Sequence, residues 1–302
     1  MPRVLQLTAG FLVIQFGEVS PRVFRLHPSP REASSPTALM NVIEPTVALL
    51  SQFERDGFLV LPDVLSPTEV AALKAGVERA FSEHCPEADL YGMQEIWRPK
   101  MFERGPEFEA LVDHPNIIPL IEAILGENCH LIANSALRTS PGKTITFWHV
   151  DDEVRFPRPA DVPWDPRIPT PTLNINLNYY LCDVDEELGP TEFIPGSHRA
   201  GRQPGPDDND ADGIPVYEGR HRVKACGKAG TAVLWNDQIW HQGGPNTSNG
   251  RIRWVIQAPY ARRYIAQRFY PFINYRMPEE IIARANPRRR RLLGLHGIGA
   301  YG

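Results

Sequence analysis

The stretch Phe147-Trp148-His149-Val150-Asp151 places a histidine and a carboxylate two residues apart within a β-prone run, 144–150. On a strand successive side chains alternate between faces, so His149 and Asp151 share one face while Asp152 turns away from it. Ninety residues after Asp151, Ile239-Trp240-His241-Gln242-Gly243-Gly244-Pro245-Asn246 offers a second histidine at the start of another β segment. Two neutral imidazoles and one carboxylate suit a hard to borderline divalent ion. Set on one face of an octahedron, they leave three positions for a cosubstrate and O2, the ligand logic of non-haem Fe(II) oxygenases. His149, Asp151 and His241 are therefore the candidate metal ligands and the centre of any catalysis.

Outward from this stretch the chain has a period of two. Runs 130–137, 144–150, 173–181, 231–235 and 252–258 are rich in Val, Ile, Thr and aromatics and are separated by Gly and Pro, as short antiparallel strands are. Upstream the period is helical. Residues 47–58 read as a short helix and 58–61 as a brief strand. Ser66-Pro67-Thr68-Glu69 then supplies a capping serine, a proline at the first helical position and a glutamate at the third, which starts a helix. Val70, Leu73, Val77 and Phe81 continue it as one apolar stripe. A further helix is expected over 115–125, stopped by Gly126 in a left-handed conformation. Helices followed by an antiparallel β core make one α+β domain, 45–302. Residues 1–44, with a linker-like 29–37, read as a poorly ordered or peripheral extension.

Composition narrows the function. Lys+Arg 32 against Asp+Glu 36 gives a net charge of −4, so no basic field exists to hold nucleic acid or an anionic membrane. Cys85, Cys129, Cys182 and Cys226 form no C-x-x-C pair, which argues against a disulfide framework or thiolate zinc site and for a reducing cytoplasm. No apolar run reaches the ~18 to 20 residues of a membrane span. The apolar stretch 5–16 is interrupted by Gln6, Thr8 and Gln15 and lacks a small-x-small cleavage site, so it is not read as a secretion signal. The 30 prolines are roughly twice the average share and predict ordered loops. Two are long: 157–171, with six prolines, and the polar, acidic 199–220. Loops of that length are lids or binding loops, and these two are expected to set the choice of substrate.

Arg253 enters the apolar run Trp254-Val255-Ile256, where an unpaired guanidinium is costly to bury. It needs an anion. A planar guanidinium aimed into a barrel binds a dicarboxylate bidentately, which suits the far end of 2-oxoglutarate while the near-end keto acid chelates iron. Arg251, two residues earlier and nearer the turn, is the alternative anchor. In Leu173-Asn174-Ile175-Asn176-Leu177-Asn178-Tyr179-Tyr180-Leu181 apolar residues alternate with three asparagines, which are poor strand formers. Their face either meets solvent or lines the cosubstrate cavity.

The order H-x-D, then Gly189-Pro190-Thr191-Glu192-Phe193-Ile194-Pro195-Gly196-Ser197-His198, then His241 with Gly-Gly-Pro-Asn, then an arginine resembles the phytanoyl-CoA dioxygenase family of iron and 2-oxoglutarate oxygenases. Asp56-Gly57-Phe58-Leu59-Val60-Leu61 before the capped helix is similar to that family's N-terminal segment, so the resemblance runs from about residue 46 to the C-terminus. It implies a double-stranded β-helix (jelly roll) with N-terminal helices on one sheet, and iron near the barrel mouth. It implies Fe(II), 2-oxoglutarate and O2 as the reacting set and a small organic molecule as substrate. Matching the motifs residue by residue puts Asn178 near 2-oxoglutarate and lets the Thr191 hydroxyl donate to one of its carboxylates. Related halogenases carry a small residue in place of the metal carboxylate; Asp151 is intact, which implies oxygenation. Thr146 and Gly243 stand where the family often has other polar side chains. His198 reads as a residue that structures its loop.

Three further patterns are discounted. Residues 208–213 imitate an EF-hand opening, but position twelve is Gly219 where a glutamate is required. Arg288-Arg289-Arg290-Arg291 in an acidic chain reads as a solvated or internally paired face. Asn246-Thr247-Ser248 is a glycosylation sequon expected to stay unmodified. The competing function class is a cupin-like metal-dependent isomerase or hydrolase, or a binding jelly roll, that uses the same ligands without the keto acid. Arg253 discriminates, because such a site needs no buried dicarboxylate clamp.

Overall fold

The computed structural model describes residues 43–143, 146–159, 161–168 and 170–298. The expected extension therefore lies outside the described residues except for its last two positions. Thr46 caps α1 (Val47–Asp56), its hydroxyl accepting from Leu49 N at 3.2 Å. Gly57 ends the helix in the left-handed region at φ 83° and turns the chain straight into β1 (Phe58–Leu61). A Cβ there would also lie 2.4 Å from the His198 ring, so glycine is required twice over.

Ser66 opens α2 (Pro67–Ser82) with a complete capping box: its hydroxyl accepts from Glu69 N at 3.3 Å and Glu69 Oε2 accepts from Ser66 N at 2.8 Å. Glu69 Oε1 also meets His114 Nε2 at 3.0 Å, which ties the helix start to the next layer. Ser66→Ala is expected to cost about 0.5–2 kcal/mol, read as a lower denaturation midpoint; an unchanged midpoint would show that the cap does not contribute. α3 (Pro86–Leu90), β2 (Trp97–Pro99), α4 (Pro106–Val112) and α5 (Ile118–Leu125) follow. α5 stops at Gly126 as expected, but with φ 93° and ψ 154°, not in a left-handed cap.

The strands are β3 (His130–Leu131), β4 (Ser135–Thr139), β5 (Asn174–Tyr180), β6 (Thr191–Phe193), β7 (Val223–Lys224), β8 (Ala232–Asn236), β9 (His241–Gly243), β10 (Arg253–Gln257) and β11 (Tyr260–Ala261). α6 (Glu279–Arg284) and α7 (Pro287–Leu292) close the described chain. The expected strand 130–137 is split because Asn134 leaves the ladder. Its side chain accepts from Phe102 N at 2.9 Å and donates to Gln257 O at 3.0 Å.

The large antiparallel sheet runs β1-β8-β5-β10-β4-β2, with β11 joining β3 to β5; the small one runs β7-β6-β9. Between them Phe58, Tyr180, Val233, Trp235 and Val255 meet Phe193, which stacks on Phe58 at 4.7 Å. The other face of the large sheet buries Leu59, Ile175, Leu177, Tyr179 and Ile256 against Leu73, Val77, Phe108, Ile118 and Ile121 of the helices. This is an α+β double-stranded β-helix with its N-terminal helices on one sheet. Burial on both faces explains why β8 reads as a continuous apolar run.

One expected strand is nearly absent. Residues 144 and 145 lie outside the described residues, and the rest of 144–150 contributes a single bridge, His149 to His241. The ladder cannot continue because Val150 N donates to the Gln203 side chain and Asp151 N to Asp237 O, both at 2.9 Å. The chain then bends through Asp152, at φ 58°.

The discounted patterns have structural accounts. Arg288 and Arg291 pair with Glu122, and Arg289 with Asp113, while Arg290 Nε donates to Ile282 O, so three of the four arginines are paired internally. Asp208 pairs with Arg202, and Asp210 accepts from Asp212 N and Ile214 N within its own turn. Asn246 is buried and its amide donates to Thr139 O and Arg251 O, so the sequon nitrogen is engaged. The four cysteines are free. Among the described residues no helix is long and apolar enough to cross a membrane.

Candidate metal centre

β9 belongs to the small sheet and pairs with β6 in the register Phe193 to His241 and Thr191 to Gly243. On its free side His241 exchanges both backbone hydrogen bonds with His149, at 3.0 and 2.9 Å. This pairing brings together two histidines ninety-two positions apart, with ring centroids 4.4 Å from each other. Asp151 follows in the bend, with Oδ2 3.3 Å from His241 Nε2 and Oδ1 3.8 Å from His149 Nε2. One donor atom from each of His149, Asp151 and His241 lies within 4.8 Å of the others, and among the described residues no other group of histidine, cysteine and acid is so arranged.

Both imidazoles are oriented the same way. His149 Nδ1 is 2.9 Å from Phe147 O and His241 Nδ1 is 2.9 Å from Ile239 O. Each Nδ1–H donates to a backbone carbonyl, which fixes the tautomer and turns a free Nε2 lone pair toward the carboxylate. Burial pushes His241 below its ordinary pKa and so favours the neutral, ligating form. Gln238 steadies the aspartate backbone, its amide donating to Asp151 O and Glu153 O and its carbonyl accepting from Arg155 N. The donor set thus fits a divalent ion.

A cavity of about 450 Å³ opens beside these groups and is also lined by Asn176, Asn178, Thr191 and Arg253. Arg253 is 9% exposed, and only Nη2 has a protein partner, Thr139 Oγ1 at 3.4 Å. Its Nε and Nη1 are buried without one. Burial depresses its pKa, so the site holds a desolvated cation with unused donors that fits a carboxylate ligand. Arg251 lies outside, bonded to Asp185 and Glu187. Asn178 and Thr191 are both buried at the cavity wall. Of the three asparagines on β5, Asn176 and Asn178 line this cavity, while Asn174 is buried outside its lining.

The two long loops lie beside the metal cavity: Gln203 of 199–220 accepts from Val150 N, and Gln238, which donates to Asp151 O, lines the cavity the loops enclose. Neither 157–171 nor 199–220 contributes to the described lining of the metal cavity. They meet each other, Arg158 N donating to Gly201 O at 2.9 Å, around a separate cavity of about 770 Å³. The non-strand lining of the metal cavity instead includes Met93, Ile96 and Lys143, which lie in segments of ordinary loop composition. Sequence reasoning also missed Trp235, a core residue by pattern, whose indole N–H is buried at this wall without a partner. His198 stands apart from the triad. Its Nε2 is 3.1 Å from Glu54 O, docking the Pro-Gly-Ser-His loop on the end of α1, and burial pushes its pKa down to about 3.

A jelly roll with a His-x-Asp and distant His group and a buried arginine in one cavity is the architecture of 2-oxoglutarate-dependent oxygenases. The family model for phytanoyl-CoA dioxygenase matches residues 53–254, and the chain belongs to that family. It is 26% identical over 263 residues to the L-proline trans-4-hydroxylase of Streptomyces griseoviridis, covering 74% of this chain and 89% of the relative. It is likewise 26% identical over 259 residues to the ectoine dioxygenase of Nocardia farcinica, covering 74% and 83%. The structure of HygX from Streptomyces hygroscopicus, solved with nickel and 2-oxoglutarate bound, shares the fold at TM-score 0.57 and 17% identity over 74% of this chain and 89% of that one.

Proposed function

We propose that the domain spanning 45–302 is an Fe(II)- and 2-oxoglutarate-dependent dioxygenase that hydroxylates or desaturates an aliphatic C–H of a small organic molecule. The observation that carries this reading is the sharing of one cavity by the His149, Asp151 and His241 donors and by a buried arginine with two unused N–H groups. His149, Asp151 and His241 would hold Fe(II). When bound there with 2-oxoglutarate, the ion supplies O2 activation coupled to oxidative decarboxylation of the keto acid to succinate and CO2. Arg253 anchors the distal carboxylate, and Thr191 and Asn178 complete the cosubstrate wall. Trp235 and the apolar inner faces of both sheets exclude water. The named relatives act on small molecules, proline and ectoine, in line with a small-molecule substrate here. Four free cysteines fit a cytoplasmic setting. A cupin-like isomerase or hydrolase would have no use for Arg253.

The test is succinate formation by anaerobically purified protein given Fe(II), 2-oxoglutarate and O2. Slow, iron-dependent succinate is expected without substrate, and a compound with an aliphatic C–H near the metal should accelerate it. No 2-oxoglutarate binding by calorimetry, together with no succinate at saturating iron, would reject the reading.

A further inference from the structure

We infer that Asn176 is the positioning residue for Asp151, and that its amide fixes the carboxylate so that a divalent cation meets it through one oxygen. Asn176 Nδ2 donates to Asp151 Oδ2 at 2.5 Å. Among the described residues this is the one hydrogen bond that reaches the carboxylate from outside the triad. The two residues differ in how firmly they are held. Asn176 lies within β5, an inner strand flanked by β8 and β10, and is paired with Trp235 of β8. Asp151 lies in a bend beyond the single bridge at His149 and belongs to no strand. The rigid partner therefore orients the carboxylate, not the reverse.

The type of donor matters as well. An arginine or lysine at this place would neutralise the carboxylate and weaken it as a ligand, whereas a neutral amide restrains it and leaves its charge for the ion. Occupying Oδ2 also opposes chelation by both oxygens, which would consume a coordination position. This inference rests on the functional reading above, since it presumes a cation between Asp151 and the histidines.

The test is Co(II) binding to the full chain, by calorimetry and by the visible d–d spectrum, which reads ligand geometry without turnover. Losing a group that supports a metal ligand typically costs about 10- to 100-fold in affinity. Asn176→Leu, similar in volume but without the donor, is expected to weaken Co(II) binding by that factor and to alter the spectrum. The metal-free melting profile should stay close to wild type. Asn174→Ala, two residues away on the same strand, should bind Co(II) as wild type does. If Asn176→Leu does not fold, Asn176→Ser, which shortens the side chain and removes the amide, takes its place with the same expectation. Wild-type affinity and spectrum in the folded variant would overturn the inference. Absence of Co(II) binding by the wild-type chain would overturn the functional reading itself, and the inference with it.

Discussion

Asp151→Ala is expected to retain no Fe(II) through purification and to form no measurable succinate, while keeping its fold. The carboxylate is the only anionic member of the donor group, and two imidazoles alone neither balance a divalent charge nor define a face of its coordination sphere. Removal of a mere supporting residue costs about 10- to 100-fold in metal affinity, so removal of the ligand should exceed that. The fold should survive because Asp151 is held through its backbone, to Asp237 O and the Gln238 amide, and alanine preserves both bonds. The variant does strand the Asn176 amide, but in a cavity wall where water can replace the lost acceptor. Metal content after anaerobic reconstitution and a circular dichroism spectrum check the two halves of this expectation. Asp151→Ala with full turnover would remove Asp151 from the metal site.

The site was legible in the sequence to the extent that its chemistry is local. His149, Asp151 and His241 stood out because a histidine and an acid at i and i+2 are easily seen, and Arg253 because a guanidinium within an apolar strand demands an anion. Strand alternation does not by itself bring His149 and Asp151 together, however, because only one bridge forms there. The two side chains converge because the backbone donors of Val150 and Asp151 are captured by Gln203 and Asp237, partners more than fifty residues away, which no local pattern contains. The same limit hid the bond from Asn176 to Asp151, which appears only when β5 is seen beside the bend. Gly126 and Asn134 show a second limit. A residue type can predict that an element stops without predicting the backbone angles or the side-chain bonds that stop it. The long proline-rich loop was conspicuous by composition, yet it walls a different cavity, because loop length and stiffness carry no address.

Arg253→Ala should raise the 2-oxoglutarate requirement by orders of magnitude without reducing metal affinity. Truncating one partner of a buried, hydrogen-bonded charge pair costs on the order of 2 to 5 kcal/mol, which corresponds to roughly 30- to several-thousand-fold in KM or Kd. Arg253→Lys should recover part of this loss at most, because an ammonium restores the charge but not the two parallel N–H donors. Arg251→Ala is the matched control: its guanidinium is already satisfied at the surface by Asp185 and Glu187, so cosubstrate binding should be unchanged. The stability of the metal-free protein sharpens the argument. Arg253 now holds a buried charge whose Nε and Nη1 have no partner, an arrangement that costs folding energy. Arg253→Ala should therefore melt no lower than wild type when ligand is absent. It should also lose the stabilisation that saturating 2-oxoglutarate gives the metal-loaded wild-type protein. A large cosubstrate effect in Arg251→Ala and none in Arg253→Ala would move the anchor from Arg253 to Arg251.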